Sequence, residues 1–355
     1  MNAPTRKRCR TILLNWNGKA DTLECLESVF RLDYPSFTVL LCDNASSDDS
    51  VKSVRAWASG DGITQASPRP RLPHLVEPPV RKPISTIELT AADVESRKSI
   101  GEDARLILIQ TGANLGFAGG NNVGLRFALS QSRFDYVWLL NNDSVVAPDS
   151  LSALVQRAQQ VPSAGGIGGT LYEYHDPETI ESTAGGLFPG WKGLSVPVKQ
   201  VRYHRGNNSA PELDYVTCGC MLLPVQTLRS VGLIGEEYFM YAEDVDYSFR
   251  IRRAGFTLDF APNAHIWHKG GGATVHRSER HDYYIVRNSL HLAKKYFPRT
   301  LPIALAYVAY RCALPKVIRG QWSRLAVIRR AYRDFRAGRF GALTDLPGER
   351  IETSR

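Results

Sequence analysis

The chain has 355 residues, 43% hydrophobic and 22% charged, the balance of an ordinary globular protein with room for one large domain, or one domain with an appendage. Its six cysteines (Cys9, Cys25, Cys42, Cys218, Cys220, Cys312) include no CxxC pair, which excludes a small secreted disulfide framework and favours a reduced setting. The net charge of +9 is unevenly placed: between Arg299 and Gly341 ten basic residues face the single acid Asp334, so this tail accounts for all of it.

In chain order, Thr11–Asn15 is an apolar, β-rich run. It follows Arg6, Lys7, Arg8 and Arg10, but Ile12–Leu14 is too short for a signal-peptide core and Asn15 interrupts it, so a cytoplasmic chain is expected. Thr22–Arg31 reads as a helix with Leu23, Leu26, Val29 and Phe30 on one face. Phe37–Cys42 is a second strand ending at Asp43, and Ser46–Asp49 caps a helix over Ser50–Ala58. Ser59–Asp103 carries six prolines and is too long for an ordinary βα loop; it reads as an insertion without chemistry, with a short helix near Ala91–Ser99. Leu106–Gln110 is a third strand, Asn121–Ser130 a helix after a Gly-rich turn, Tyr136–Leu140 a fourth strand, and Asp149 caps a helix over Ser150–Gln160. This strand–helix rhythm predicts a parallel α/β sheet covered on both faces. From Gly165 the pattern turns irregular, until helices follow at Glu243–Ala254 and Asp282–Tyr296. The longest late apolar run, Leu301–Tyr310, stops at Arg311, short of the roughly 18 residues a membrane span needs. The expected division is residues 1–275 as a catalytic domain interrupted by 59–103, and 276–355 as a basic helical region.

The chemistry-bearing residues fall at strand ends. Asp43 and Asp143 each close an apolar strand, the edge where ligands bind in open α/β sheets. Either alone reads as readily as a helix cap; two at equivalent ends point to a site. Asn141-Asn142-Asp143 delivers two amides and a carboxylate to one point, oxygen chemistry that suits Mg²⁺ or Mn²⁺ with positions left for phosphate oxygens. Asn114 and the Gly119-Gly120 pair precede a helix and would let backbone N–H groups approach a phosphate or sugar. Glu243, Asp244 and Asp246 stand within four residues behind Phe239-Met240-Tyr241; a carboxylate in an apolar frame can gain a raised pKa and act as a base, whereas the plain reading is acidic capping paired to Arg250, Arg252 or Arg253. His268, beside Gly270-Gly271-Gly272, is the better metal-ligand candidate of the pair His265 and His268.

Taken in order, Leu14-Asn15-Trp16-Asn17-Gly18, Asp43 to Asp48, Asn114 to Asn122, Asn141 to Asp143, Glu243 to Asp246, His268 and Arg287-Asn288 resemble the motifs of glycosyltransferase family 2 enzymes with the GT-A fold, and are similar to a bacterial rhamnosyltransferase-like branch. The resemblance implies a Rossmann-like, mostly parallel sheet that binds nucleotide sugars, followed by a C-terminal helical segment. It implies that Asn15, Asn17 and Asp43 border the nucleoside, that Asn114, Gly119 and Gly120 hold the ribose or diphosphate, and that Asn141, Asn142 and Asp143 stand where the family has its DxD metal motif, Asn141 replacing the first Asp. It further implies Asp143 and His268 as ligands of Mg²⁺ or Mn²⁺, and Asp244, with Glu243 as the alternative, as the base in an inverting transfer. The implied partners are a nucleotide-diphosphate sugar, dTDP-rhamnose first and UDP-sugars next, and a glycan or polyprenyl-linked glycan acceptor in cell-surface polysaccharide assembly.

Residues 300–341 mix apolar and Arg positions, as do basic amphipathic helices that lie on anionic membranes; the expectation is peripheral contact with the inner face of the cytoplasmic membrane, set against a helical pair packed on the catalytic domain. No nucleic-acid-binding motif accompanies this basic stretch, so nucleic acid is not an expected partner. Two rival readings are a nucleotidyltransferase, which would need a Lys-bearing Gly-rich first loop where this chain has Asn15-Trp16-Asn17-Gly18-Lys19, and a non-catalytic sugar- or lipid-binding relative.

Overall fold

The computed structural model describes residues 7–61, 70–98, 101, 103–131, 134–199, 212–270 and 278–343. Thirteen strands are found among them: β1 Cys9–Asn15, β2 Phe37–Asp43, β3 Thr86–Thr90, β4 Leu106–Gln110, β5 Tyr136–Asn141, β6 Ser144–Val146, β7 Ala164–Glu173, β8 Asp176–Thr183, β9 Gly185–Leu187, β10 Val196–Pro197, β11 Tyr215–Val216, β12 Cys220–Pro224 and β13 Thr257–His268. The helices are α1 Lys19–Val29, α2 Ser50–Ser59, α3 Pro73–Val76, α4 Ala91–Glu95, α5 Gly116–Ser130, α6 Ser150–Gln160, α7 Val225–Val231, α8 Glu243–Arg253, α9 Glu279–Tyr296, α10 Leu301–Val308, α11 Leu314–Ile318 and α12 Trp322–Arg336.

The main sheet runs β3-β4-β2-β1-β5-β12-β7-β13-β6, with β8 beside β7. β3, β4, β2, β1 and β5 are parallel, and β12 enters antiparallel between β5 and β7. Continuous apolar runs suit parallel strands buried on both faces. Successive side chains point to opposite faces, so Ile12, Leu40, Ile107 and Leu139 join one core with α5, while Leu13, Leu41, Leu108 and Leu140 join another with α1, α2 and α6. The register pairs Asn15 with Asp43, Asp43 with Gln110 and Leu14 with Asn141, which lines the polar strand ends along a single edge. The architecture is the expected mostly parallel GT-A-type sheet with helices on both faces and a helical C-terminal segment.

Several local expectations are corrected. Asp49 and Asp149 stand before α2 and α6, but neither side chain accepts an N-terminal N–H; Asp48 takes that place at α2, accepting from the Ser50 N–H. The Pro-rich insertion contributes the edge strand β3, paired in register with β4 from Thr86–Leu106 to Thr90–Gln110. Its short helix covers Ala91–Glu95 only, and Ser99 lies outside the described residues. The stretch after Gly165, expected to hold short strands and Gly pairs in an irregular pattern, opens with the ten-residue strand β7, and the shorter strands β8 to β12 follow. The late apolar run also does not stop at Arg311. The helix continues through a π turn over Ala309–Ala313, giving a 21-residue run, Pro298–Ile318, which by length and composition alone could cross a membrane.

Candidate active site at the carboxyl edge of the sheet

Asn15 is the hub of the edge. Its side-chain N–H donates to Asp43 Oδ1 (2.8 Å) and Ser46 Oγ (3.0 Å), while its Oδ1 accepts from Gly18 N, Thr22 Oγ1 and Asn142 Nδ2. Asn142 also donates to Thr22 Oγ1 (2.8 Å). Asn15 and Asn142 therefore tie the ends of β1, β2 and β5 to α1. Asn17 sits at φ 52° and accepts from the Ser47 N–H, fixing the first loop against the second. Asn114 accepts from Asn44 Nδ2 and from the Gly116 N–H.

The Gly119-Gly120 turn is a helix, because α5 begins at Gly116. A Cβ on Gly120 would stand 2.4 Å from Leu14 Cδ1, so this glycine lets α5 press onto β1. Gly116, at φ +72°, lies against Phe239, whose carbonyl accepts from the Phe117 N–H. Both expected phosphate-cradling glycines are thus buried in helix packing.

Beside Asp43 a cavity of about 380 Å³ opens between the end of β2, the start of α2 and the end of β4, lined by Ser46, Ser47, Asp49, Arg55 and Gln110 among others. Arg55 is held there by a two-pronged contact with Glu88 on β3 (2.7 and 2.6 Å). Its lining is largely polar and includes Asp43 itself.

On the other side of β5, Asp143 Oδ1 lies 3.2 Å from His268 Nε2, and Asn141 Nδ2 is also 3.2 Å from that nitrogen. The second ring nitrogen, Nδ1, meets Glu181 Oε2 on β8 at 2.8 Å. Burial pulls the His268 pKa down, but Asp143 and Glu181 outweigh it and hold the imidazole well above its ordinary value. The Asp143 carboxylate suits a divalent cation, since Mg²⁺-type sites often take one or two carboxylates and complete the shell with substrate phosphates and water; His268 could join it only as the neutral imidazole, its proton displaced by the ion. Among the described residues no group of three or more His, Cys, Asp or Glu stands ready to enclose an ion unaided, so the remaining positions would fall to substrate. Gly270 is described, whereas Gly271 and Gly272 lie outside the described residues.

The acid pair opens α8. Phe239, Tyr241 and Ala242 all have positive φ (64°, 64° and 73°), a strained approach of the kind that persists only where its surroundings enforce it. Asn288 on α9 enforces it: its side-chain N–H group donates to the carbonyls of Tyr238, Met240 and Tyr241 at 2.8–2.9 Å, and Arg287 adds a bond to Tyr238 O. Glu243 is buried, and its Oε2 has no hydrogen-bond partner among the described residues. Burial raises the pKa of both Glu243 and Asp244; the charge of Asp244 raises Glu243 further, while the Val245 N–H and Thr217 hydroxyl restrain the rise at Asp244. Asp244 is accordingly the more readily ionised of the two. Asp246, by contrast, is committed to structure: burial alone would raise its pKa, but bonds from Lys295, Tyr296 and Arg250 lower it. The plain ion-pair reading holds for Asp246 with Arg250 and not for its two neighbours. Thr217 and Gly219 tie the two halves of the site together, since Thr217 bonds Asp244 and Gly219 O accepts from the Asn141 N–H (3.0 Å).

Residues 88–284 match the family described as "Glycosyltransferase like family 2". The chain belongs to this family. As a family 2 chain it is 25% identical over 159 residues to the low-salt glycan biosynthesis hexosyltransferase of Haloferax volcanii (42% of this chain, 47% of that one). It is 28% identical over 184 residues to the N-acetylglucosaminyl-diphospho-decaprenol L-rhamnosyltransferase of Mycobacterium tuberculosis (47% of this chain, 60% of that one). These matches therefore span about half the length of the curated relatives. The fold is similar to that of a mannosyltransferase from Pyrobaculum calidifontis solved with GDP-Man and Mn²⁺, at TM-score 0.51 and 16% identity, covering 96% of this chain and 77% of that one.

Three residues of this candidate site carry no sequence signal of their own. Glu181 reaches His268 only through the irregular β7–β8 pairing, and Thr217 reaches Asp244 from a loop next to a two-residue strand. Lys269 follows His268 in sequence, but its work is visible only in three dimensions: its Nζ donates to Asp21 and Glu24 at 2.6 Å each, and its N–H to Asp143 O, clamping the end of β13 to α1.

Proposed function

We propose that this chain is an inverting glycosyltransferase moving a sugar, rhamnose as the first candidate, from a nucleotide-diphosphate donor to a hydroxyl of a glycan or polyprenyl-linked glycan. One observation carries the reading: the Asp43 cavity, the Asp143–His268 pair and the raised-pKa acids Glu243 and Asp244 lie along one edge, joined through Asn15, Asn141 and Gly219. The nucleoside enters beside Asp43, and the diphosphate extends toward Asp143. Asp143 and His268 would hold a Mg²⁺ or Mn²⁺ ion, which when bound would neutralise charge on the departing diphosphate. Ionised Asp244 takes the proton of the acceptor hydroxyl as its oxygen bonds to the anomeric carbon and the carbon–diphosphate bond breaks; the proton stays on Asp244 and the nucleoside diphosphate leaves. Attack opposite the leaving group inverts the anomeric centre. Glu243, harder to ionise, stays protonated and does not compete for the role.

The relatives' names, one a hexosyltransferase and one a rhamnosyltransferase of a diphospho-decaprenol-linked sugar, support this choice of donor and acceptor class. A lipid-linked acceptor also suits the exposed, basic 300–341 segment as a contact with the inner face of the cytoplasmic membrane. The test is a screen of nucleotide-diphosphate sugars for release of nucleoside diphosphate with Mn²⁺ or Mg²⁺. Release from one donor is expected, abolished by Asp143→Ala. Asp244→Asn should retain donor binding and lose transfer by roughly a thousandfold, within the range general bases contribute. Full transfer by Asp244→Asn, or release that ignores the metal and Asp143, would overturn the assignment.

A further inference from the structure

Among the described residues a second cavity, of about 810 Å³, lies between α10 and α12. Its floor is aliphatic, with Leu305, Leu325 and Ile328, and its rim carries Arg329, Arg333 and Arg336. The size falls within the range of small-molecule pockets, roughly 300–1,000 Å³.

The three arginines stand at i, i+4 and i+7 on α12, so they share one face and repel one another. The acid nearest in sequence does not relieve them. Asp334 is buried, accepting from Tyr283 Oη (2.8 Å) and bonded to Arg339, and Arg333 Nε comes only to 4.0 Å of it. Among the described residues Arg329 and Arg336 have no acidic partner within 4.0 Å. A row of guanidinium groups over an aliphatic floor is matched by a ligand with phosphate at one end and hydrocarbon at the other: the planar fork takes phosphate oxygens in pairs, and the floor takes the chain. Seven residues of helix span about 10 Å, longer than one phosphate and suited to two in series.

The surroundings fit the same ligand. The adjoining helical run presents exposed Ile303, Tyr310, Leu314 and Ile318, with Trp322 opening α12, an apolar flank from which a lipid could enter. On its inner side α12 packs on α9 through Val327, Ile328 and Phe335, in the same cluster as Phe239 and Tyr284, whose rings stack at 5.4 Å. Phe239 belongs to the strained approach to the acid pair, so α12 packs into the same apolar cluster as that approach.

We propose that this cavity binds a single-chain lipid diphosphate of the polyisoprenoid type, the diphosphate on Arg329, Arg333 and Arg336 and the start of the chain over Leu305, Leu325 and Ile328. The proposal deepens the lipid-linked acceptor reading above and rests on it: the cavity takes the lipid diphosphate end of that acceptor. The probe is farnesyl diphosphate, titrated into the full chain by calorimetry without donor or metal, so the result is independent of turnover. Saturable binding is expected, at least about tenfold tighter than that of inorganic diphosphate or farnesol, because neither supplies both halves of the ligand. The triple variant R329Q/R333Q/R336Q should weaken it by about tenfold or more. Leu325→Trp, which fills the floor, should weaken farnesyl diphosphate and leave inorganic diphosphate unaffected. An excess of dTDP with Mn²⁺ should change nothing. Equal binding of inorganic diphosphate would reduce the site to an anion patch and overturn the proposal. So would undiminished binding in the triple variant, or displacement of the probe by dTDP with Mn²⁺, which would put it in the donor site. Adsorption to phosphatidylglycerol vesicles with no binding of farnesyl diphosphate would assign the arginines to the membrane surface instead. A silent donor screen alongside positive lipid binding would remove the transferase reading and leave a lipid-binding protein.

Discussion

His268 is engaged on both ring nitrogens, by Asp143 and Asn141 at Nε2 and by Glu181 at Nδ1. A carboxylate on the far nitrogen of a ligating histidine fixes the ring's orientation and raises its basicity toward the ion. On the proposed metal site, Glu181 would be a positioning residue. Glu181→Gln should weaken Mn²⁺ binding by about 10–100-fold, the usual effect of losing such a partner. The readout is Mn²⁺ paramagnetic resonance with the nucleoside diphosphate present, and unchanged affinity would remove Glu181 from the site. The same comparison bears on Asn141, where the family's motif has an acid. One negative charge fewer faces the ion, and a neutral amide stands beside the histidine. The sequence displayed Asp143 and His268 because they sit at strand ends, whereas Glu181 was invisible because its contact depends on how β8 folds back across β7.

At the scale of elements, one helix sets the geometry of another. α8 would start wherever its capping dictated, but Asn288 of α9 holds the carbonyls of Tyr238, Met240 and Tyr241 ahead of it and imposes left-handed backbone on Phe239, Tyr241 and Ala242. Asn288→Ala leaves those carbonyls without their shared donor, a loss on the order of 3 kcal/mol from unmet buried hydrogen bonds. Transfer should fall by about a hundredfold, since a displacement of the base by an ångström is enough for that. Nucleoside diphosphate binding, which rests on β2 and its loop, should change little. Wild-type transfer and melting temperature in Asn288→Ala would show that the approach is fixed by other contacts. The helices themselves were legible: α6 has its expected bounds, and α8 and α9 differ only at their ends, because amphipathic spacing of this length is a strong signal. The start of α5 was not, since Gly116-Phe117-Ala118-Gly119-Gly120 has poor intrinsic helix propensity, and packing against β1 and Phe239 overrides it. The edge strand β3 was hidden for a related reason: five residues inside a Pro-rich stretch carry little pattern until β4 offers them a partner.

For the molecule as a whole, the expected boundary near residue 275 conceals how far the C-terminal helices reach back. Arg287 donates to Gly341 O as well as Tyr238 O, and the Leu343 N–H donates to Tyr284 Oη, so the end of the described chain is tied to the approach to the acid pair. Global stability should then register the chemistry prepared there. Glu243 and Asp244 have folded-state pKa values raised by burial, while in the unfolded chain both return to the ordinary range near 4. A raised carboxylate binds its proton more tightly when folded, so its charged form weighs against the fold. The penalty is absent below the unfolded value, grows as pH rises through the interval between unfolded and folded values, and then stays constant. Asp246, Asp282 and Asp334, whose pKa values are lowered, work in the opposite sense, so the pH dependence of the wild type alone is a balance. The double variant Glu243→Gln/Asp244→Asn isolates the pair. Its melting temperature should match that of the wild type near pH 4 and exceed it increasingly toward pH 8, in exchange for lost transfer. A difference that stays flat across this range would mean that the two acids are not strained by burial, and would remove the physical basis for assigning Asp244 as a base poised near neutrality.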